Sequence, residues 1–198
     1  MCKMKIAITG GIGSGKSTVL SILKKNGFAV FSCDEIYREI SKTENYINKV
    51  QEHFPLAVKQ GQIDRKALGE LIFRETQARN KLNQISHPLI IKELFIRMEN
   101  ATGNLVFAEV PLLYETQEKM SFDAVILVAR DKEERIKSIV DRDGISISEA
   151  KRRISAQVDY DNLSALQQVF RNTFVVSNTT NQNQLEHNLL EIIKQIHL

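Results

Sequence analysis

A run of glycines followed by a lysine and a serine has the residue types that surround a phosphate group. The run Gly10-Gly11-Ile12-Gly13-Ser14-Gly15-Lys16-Ser17 fits the pattern G-x-x-x-x-G-K-[ST] at every fixed position. Glycines let the backbone curl so that several N–H groups converge on one anion, and a helix that begins after the run adds its positive dipole end. The run therefore predicts a site for the phosphates of a nucleoside triphosphate.

The motif also predicts what each side chain does. We assign Lys16 a catalytic role against the β- and γ-phosphates, Ser17 to Mg²⁺, and Thr18 to the α-phosphate. The residues of this run predicted to bind ATP are Gly11, Ile12, Gly13, Ser14, Gly15, Lys16, Ser17 and Thr18. The alternative is a turn that only joins a strand to a helix. The full motif, with a strand before it and a helix after it, favours the phosphate site.

Strand-like and helical segments alternate along the chain. Apolar runs predict strands at residues 6–9, 28–31, 105–108, 124–128 and 173–176, and helical patterns occupy about 16–26 and 184–196. Near-continuous apolar strands separated by helices are typical of a parallel sheet covered on both faces. We therefore predict an α/β fold of three layers with a five-stranded parallel sheet.

Two long stretches interrupt this alternation. Residues 35–103 are polar and helical in pattern, with no good strand, and residues 131–170 carry many charges at helical spacing. We predict one domain in which 35–103 is a helical acceptor-binding lobe and 131–170 is a helical lid. The core is then formed by about 1–34, 104–130 and 171–198, and the two insertions close over substrates.

The composition of the chain limits the kinds of partner that we expect for it. Among 198 residues, 27 basic and 24 acidic side chains give a formal net charge of +3, which is too balanced to predict a nucleic-acid surface. No apolar run is long enough to cross a bilayer, so no membrane partner is expected. The two cysteines, Cys2 and Cys33, form no metal pattern and suit a reducing compartment, so we predict a cytoplasmic protein. The oligomeric state is left open and is compatible with a monomer.

Binding a triphosphate does not by itself define a reaction. A GTPase or motor is disfavoured because no N-K-x-D motif follows the fourth strand, which ends in Val128-Ala129-Arg130-Asp131. A kinase with an alcohol acceptor needs a carboxylate beside the hydroxyl, and Asp34 follows the second strand at the edge where open α/β sheets bind ligands. The alternative for Asp34 is the N-cap of a helix that begins at Glu35. A nucleotide-binding module without catalysis also stays open.

Beyond the loop, several motifs resemble the dephospho-CoA kinase family from about residue 6 to residue 178. They are Thr9-Gly10-Gly11-Ile12-Gly13-Ser14-Gly15-Lys16-Ser17-Thr18, Ser32-Cys33-Asp34 with Arg38, His87-Pro88-Leu89-Ile90, Val110-Pro111-Leu112-Leu113-Tyr114-Glu115, Arg142-Asp143-Gly144 with Gln157, and Val176-Ser177-Asn178. The resemblance implies an ATP- and Mg²⁺-dependent enzyme. It would phosphorylate the ribose 3′-hydroxyl of dephospho-CoA to give CoA and ADP, the last step of coenzyme A biosynthesis.

The resemblance also implies residue roles. Asp34 is the catalytic acid/base at the 3′-hydroxyl, and Arg142 closes on the ATP phosphates and steadies transition-state charge. Asn178 lies on the adenine side of the ATP site. Dephospho-CoA contacts are implied for Asp34, Arg38, His87, Leu112 and Glu115.

Each assignment has an alternative. The alternative for His87-Pro88 is the start of a helix, since proline suits the first helical position. Pro111-Leu112-Leu113 is otherwise a buried loop, and Arg142 a surface charge.

Some positions depart from the family pattern. The first acid of its D-A-D motif is Ser32 here, and Cys33 replaces a small alanine, which is either a reactive thiol or a packed, inert side chain. In the lid helix, this chain has Arg135 where the family usually has glutamine. Three residues later it has Ser138 where the family often has arginine. Arg135 is a candidate for the missing charge. The alternative function is a kinase for another small acceptor, such as a nucleoside, a nucleotide or shikimate, or a nucleotide-binding switch.

Overall fold

A computed structural model of the chain describes residues 3–115, 121–170, 172–178 and 181–197. The chain divides into two compact units. The first consists of Met1–Val30 with Asn100–Leu198, and the second of Phe31–Glu99. Cys2 lies outside the described residues, and Cys33 is the first residue of a helix, where it is half-buried.

The described elements follow one another along the chain in the order expected for an α/β fold. The strands are β1 (Met4–Thr9), β2 (Ala29–Ser32), β3 (Val58–Lys59), β4 (Gln62–Ile63), β5 (Leu105–Glu109), β6 (Ala124–Ala129) and β7 (Thr173–Ser177). The helices are α1 (Lys16–Lys25), α2 (Cys33–Ile40), α3 (Glu44–His53), α4 (Arg65–Arg74), α5 (Thr76–Asn100), α6 (Lys132–Asp143), α7 (Ile147–Ser155), α8 (Leu163–Val169) and α9 (Gln182–His197).

The main sheet has five strands in the order β2-β5-β1-β6-β7. β1 lies between β5 and β6 and is parallel to both, with Ala7 opposite Ala108 on one side and Val125 on the other. The five strands predicted from apolar runs are confirmed, as are the helix after the glycine run and the closing helix. The α/β fold class with a five-stranded parallel sheet is therefore confirmed.

The central strands are apolar along their whole length because both faces of the sheet are covered. All residues of β6 from Ala124 to Val128 are buried. Ile6 and Ile8 of β1 pack in one cluster with side chains of α1 and α9. A strand buried on both faces cannot alternate polar and apolar residues, which is why the sequence shows continuous apolar runs. The same packing fixes the end of β1, from which the glycine run departs.

The charged stretch after β6 forms three helices of the first unit. Each has a polar residue as its N-cap whose side chain accepts from a backbone N–H in the first turn: Asp131 for α6, Ser146 for α7 and Asn162 for α8. α6 and α7 pack together through a small apolar cluster that includes Ile139 and Ile154. Most of their remaining side chains are exposed, which accounts for the high charge of this stretch.

The second unit is helical, with a core of its own. Its buried cluster is formed by Tyr46, Val50, Phe54, Ala57, Leu68, Ala78 and Leu82, from α3, α4, α5 and the short 3₁₀ turn Pro55–Ala57. Helical spacing of apolar residues in a polar stretch predicts such a unit.

Two short strands inside this unit contradict the expectation of no strand in residues 35–103. β3 and β4 pair antiparallel, with Val58 opposite Ile63. Gln60 and Gly61 join them with φ values of 51° and 71°, as a tight hairpin turn requires. Each strand has two residues, which is too short for alternation to be visible in the sequence.

The longest described helix, α5, contains Pro88 in its interior. The alternative in which His87-Pro88 starts a helix is therefore wrong, because α5 begins at Thr76. Proline leaves the carbonyl of Gln84 without its usual helical donor, and burial of apolar side chains before and after it, such as Leu82 and Leu94, keeps the helix continuous. Among the described residues, no helix combines the length and the apolar character needed to span a bilayer.

A buried hydroxyl pair in the second unit supplies a test of its core. The Tyr46 hydroxyl and Ser86 Oγ are 2.7 Å apart, and Ser86 donates to the Leu82 carbonyl at 2.8 Å. The serine proton is thus engaged, and Tyr46 is the donor of the pair. Burial raises the pKa of the Tyr46 phenol above its ordinary value.

We expect Ser86→Ala to destabilise the protein more than Tyr46→Phe. The first leaves a buried O–H donor without an acceptor, at a cost of about 1–3 kcal/mol, whereas the second removes the donor and costs about 1 kcal/mol. Thermal unfolding should report decreases in Tm of about 2–4 °C per kcal/mol. Equal or reversed effects would show that Tyr46 is not the donor.

Candidate active site

The glycine run forms a loop between β1 and α1 that only glycine can build at two positions. Gly13 and Gly15 have φ values of +79° and +91°, in the left-handed region. A Cβ on Gly13 would lie 2.7 Å from the backbone oxygen of Arg135, and one on Gly15 would collide with the side chain of Asn178. The loop is therefore both curled and closely packed from outside.

Lys16, at the first position of α1, reaches back over the loop. Its Nζ donates to the carbonyl oxygens of Gly10 at 2.6 Å and Gly11 at 3.2 Å. Ser14 N–H donates to the Gly11 carbonyl at 3.1 Å and closes the turn. The ammonium group therefore lies against the loop, and its contact with the β- and γ-phosphates stays a prediction.

Side chains from distant parts of the chain hold the next carbonyls of the loop. Arg135 Nε donates to the Ile12 carbonyl at 3.1 Å, and Asn178 Nδ2 donates to the Ser14 carbonyl at 2.8 Å. A trans peptide points its C=O and N–H in opposite directions, and the described residues contain no cis peptide. Each such bond therefore turns the following N–H toward the other side of the loop.

Arg130 contacts the carbonyl between these two. Its Nη1 lies 3.4 Å from the Gly13 oxygen, and its Nη2 lies 3.4 Å from Glu134. Its Nε is buried and has no hydrogen-bond partner among the described residues. Arg130 follows β6 directly and was not predicted as a site residue, since nothing in its local sequence distinguishes it.

Asn178 is held in place by its own backbone. Its N–H donates to the Ala129 carbonyl at 2.8 Å, one residue beyond β7. The structure thus brings this predicted ATP-binding residue against the loop, where it supports the Ser14 carbonyl. A contact of Asn178 with adenine stays a prediction.

The segment after α7 also touches the loop. The Ile12 N–H donates to Gln157 Oε1 at 2.7 Å, and Asp161 lies 3.1 Å from the Nη1 of Arg135. We call residues 157–161 the strap. Glu115, a predicted substrate residue, accepts from the strap at Val158 N–H (3.3 Å) and at the Tyr160 hydroxyl (3.4 Å).

Tyr160 is a functional candidate that the sequence did not reveal. It is buried, and its hydroxyl also lies 3.4 Å from the Pro111 carbonyl. Burial raises the pKa of its phenol above the ordinary value, so the hydroxyl stays protonated as a donor. In the loop that it contacts, Leu113 is buried but Leu112 is 44% exposed, so the alternative of a wholly buried loop is wrong at Leu112.

Arg142 lies at the C-terminal end of α6 on a groove of about 450 Å³. The groove is lined by Arg130, Glu134, Lys137, Ser138, Asp141 and Arg142. Arg142 donates to both oxygens of Asp143 at 2.7 and 3.0 Å, and these bonds lower the pKa of the Asp143 carboxyl below its ordinary value. Because Arg130 also contacts the loop, the groove adjoins the loop.

In the second unit, Asp34 is the second residue of α2 and is exposed. The alternative that Asp34 caps a helix beginning at Glu35 is wrong, because α2 begins at Cys33 and Ser32 is the N-cap residue. A carboxylate in the first turn is favoured by the helix dipole. Arg38 lies one turn further along α2, on the same face as Asp34.

A second cavity lies within the helical unit. It has a volume of about 640 Å³, and its lining includes Arg38, Lys42 and Arg65 together with Tyr37 and Gln62. The C-terminal half of α2 is tied to α5 by Arg97, which donates to Glu39 at 2.6 Å and to Glu93 at 2.7 Å. His87, on α5, is half-buried.

The family is decided by comparison with known proteins. The family model described as "CoaE: Dephospho-CoA kinase" matches residues 4–184. The chain belongs to the dephospho-CoA kinase family. The resemblance proposed from the motifs is therefore confirmed.

Relatives agree over nearly the whole chain. A dephospho-CoA kinase of Fusobacterium nucleatum is 33% identical over 187 residues, which cover 93% of this chain and 94% of that protein. The crystal structure of TT1252 from Thermus thermophilus has a TM-score of 0.82 at 32% identity and covers 98% of both chains. The dephospho-CoA kinase from Campylobacter jejuni has a TM-score of 0.62 at 27% identity, covering 98% of this chain and 97% of its own.

Within this dephospho-CoA kinase family member, Arg135 does not lie where the missing lid charge was expected. It is only 2% exposed and is not part of the groove that contains Ser138 and Arg142. Its guanidinium lies behind the loop, against Ile12 and Gly11. The positive charge of Arg135 is therefore placed against the phosphate loop and not in the groove.

The packing of Gly13 gives a test with an internal control. Gly13→Ala should abolish measurable ATP binding for two reasons. The new methyl collides with the Arg135 backbone, and the positive φ costs a non-glycine residue about 1–2 kcal/mol. Gly27→Ala has a similar φ of +80° but nothing within 4 Å of the new methyl. It should lower Tm by a few degrees and leave ATP binding unchanged by calorimetry. Similar ATP affinities in the two variants would contradict the close packing of the loop.

Proposed function

We propose that this chain transfers the γ-phosphoryl group of ATP to the ribose 3′-hydroxyl of dephospho-CoA, giving CoA and ADP in the last step of coenzyme A biosynthesis. Family membership over residues 4–184 makes it an ATP-dependent phosphotransferase. The observation that supports the site most directly is the loop between β1 and α1, whose successive carbonyls from Gly10 to Ser14 are contacted by side-chain donors. That arrangement leaves N–H groups for phosphate oxygens.

The loop binds and orients the triphosphate in this proposal. Its N–H groups and the N-terminus of α1 hold the phosphates, and Lys16 moves from the loop carbonyls onto the β- and γ-phosphates. Arg142 pairs with the transferring group from the groove and stabilises charge that develops in the transition state. Its bond to Asp143 is a surface ion pair of small net energy, which a phosphate can replace.

Ser17 is the residue that suits Mg²⁺. It is exposed in the first turn of α1. Among the described residues, no group of three or more His, Cys, Asp or Glu side chains is placed to hold a metal. A single hydroxyl fits Mg²⁺ because this ion commonly takes one or two protein ligands and completes its shell with phosphate oxygens and water. When bound with ATP, Mg²⁺ supplies charge neutralisation at the phosphates.

Asp34 is proposed as the acid/base at the acceptor. Its carboxylate is exposed at the start of α2 and is available to orient the 3′-hydroxyl and accept its proton. The cavity of the helical unit is proposed to hold the rest of dephospho-CoA. Arg38, Lys42 and Arg65 give it a positive lining suited to the diphosphate of that substrate.

Three further residues complete the proposed acceptor contacts. His87, Leu112 and Glu115 are assigned to dephospho-CoA by family resemblance. The exposure of Leu112 supports this role, since a large apolar side chain at the surface is suited to contact a ligand. We also propose a cytoplasmic protein that needs no nucleic acid or membrane and is compatible with a monomer. The acceptor-binding role of 35–103 and the closure of 131–170 as a lid belong to the same proposal.

Single-turnover ATP consumption, read by product mass, tests the function. With dephospho-CoA we expect stoichiometric CoA bearing a 3′-phosphate, and with nucleosides, nucleotides or shikimate at least about 100-fold slower turnover.

Lys16→Ala should abolish turnover. Asp34→Asn should lower kcat by about 10²–10⁴-fold with little change in ATP affinity. Turnover that ignores the acceptor would favour a switch, and a normal kcat for Asp34→Asn would remove that residue from the chemistry.

Arg142→Ala should lower kcat by about 10²-fold or more while the dissociation constant of ATP changes little, because the arginine acts mainly in the transition state. Arg152→Ala is a matched control. Arg152 lies on the neighbouring helix α7 and likewise pairs through two nitrogens with a carboxylate, that of Glu149 in the same helix. Rapid-quench measurement of the transfer step distinguishes the two. Equal rates for both variants would make Arg142 a surface charge only.

A further inference from the structure

Arg135 is the largest side chain in the described structure that is almost completely buried. An arginine cannot lose its proton, so burial leaves a full charge that must be paired or used. Its Nε donates to the Ile12 carbonyl at 3.1 Å, and its Nη1 lies 3.1 Å from Asp161 of the strap. A Cβ on Gly11 would collide with the guanidinium, so the loop lies directly on it.

We infer that Arg135 is a positioning residue that raises the affinity of the loop for polyphosphate, by its charge as well as by its shape. The inference rests on the proposed nucleotide site and deepens it. By donating to the Ile12 carbonyl, Arg135 turns the Gly13 N–H of the same peptide toward the opposite side of the loop. A charged donor also polarises that peptide and makes its N–H a stronger donor to an anion.

The charge of Arg135 is only partly neutralised. Asp161 is the sole carboxylate within ion-pair distance of Arg135 among the described residues, and its side chain is 41% exposed. Asp161 also lies 3.8 Å from Lys132, so one carboxylate serves two cations. Water screens Asp161 more than it screens the buried guanidinium. A net positive potential therefore remains at the back of the loop.

Two substitutions of opposite predicted sign test the inference. Arg135→Gln keeps a hydrogen-bond donor but removes the charge, and should weaken ATP about tenfold. Asp161→Asn removes the partner carboxylate and leaves the guanidinium on Ile12, so it should tighten ATP about threefold even while Tm falls. Calorimetric titrations with ATP, ADP and AMP should show effects that decrease in that order, because they follow the charge of the ligand.

Controls separate this inference from loop stability and from net charge. Lys194→Gln removes one charge on α9, where Lys194 is paired with Glu191, and should leave all three affinities unchanged. If Asp161→Asn weakens ATP in parallel with Arg135→Gln, or if ATP and AMP change equally, Arg135 acts through shape alone and the inference is wrong. If Arg135→Gln fails to fold, the sign of the Asp161→Asn effect still decides. Acceptor-independent turnover of the unmodified protein would reject the proposed function without affecting this result.

Discussion

The structure depends on holding a short stretch of backbone with its carbonyl groups turned outward. Peptide units between Gly10 and Gly15 lack the repeated backbone hydrogen bonds of a strand or a helix, because they belong to neither β1 nor α1. Carbonyl groups that are shielded from water need hydrogen-bond donors from elsewhere in the protein. Side chains from α1, α6 and the ends of β6 and β7 supply those donors instead. The loop that is proposed to bind the phosphates is thus held in shape by side chains that donate to its carbonyl groups.

This constraint explains the placement of the sheet. β1 lies in the centre, and its parallel neighbours β5 and β6 end at the same edge. Arg130 follows β6, Asn178 follows β7, and the loop with Glu115 follows β5, so residues far apart in sequence meet around the end of β1. The apolar strands therefore position the polar and charged residues that follow them around the end of β1.

Prediction from sequence succeeded where the signal is local. The glycine run, the five apolar strands and the closing helix each have a periodicity or a motif within a few residues. The β3–β4 hairpin had too few residues for a pattern, and the interior position of Pro88 depends on packing that outweighs a missing hydrogen bond. The start of α2 at Cys33 removed the capping role of Asp34 by shifting the helix two residues. Loop contacts of Arg130, Arg135 and Asn178 span more than 100 residues, and no local pattern encodes them.

The strap connects the phosphate loop with Glu115. At one end of the strap Gln157 accepts from the loop, and at the other end Asp161 pairs with Arg135, which contacts the loop. Between them, Val158 and Tyr160 donate to Glu115. Five consecutive residues thus share bonds with the phosphate loop and with Glu115, a residue proposed to contact the acceptor. If both proposed sites are right, any effect of one ligand on the affinity of the other that passes through the strap would be equal in both directions, by thermodynamic linkage.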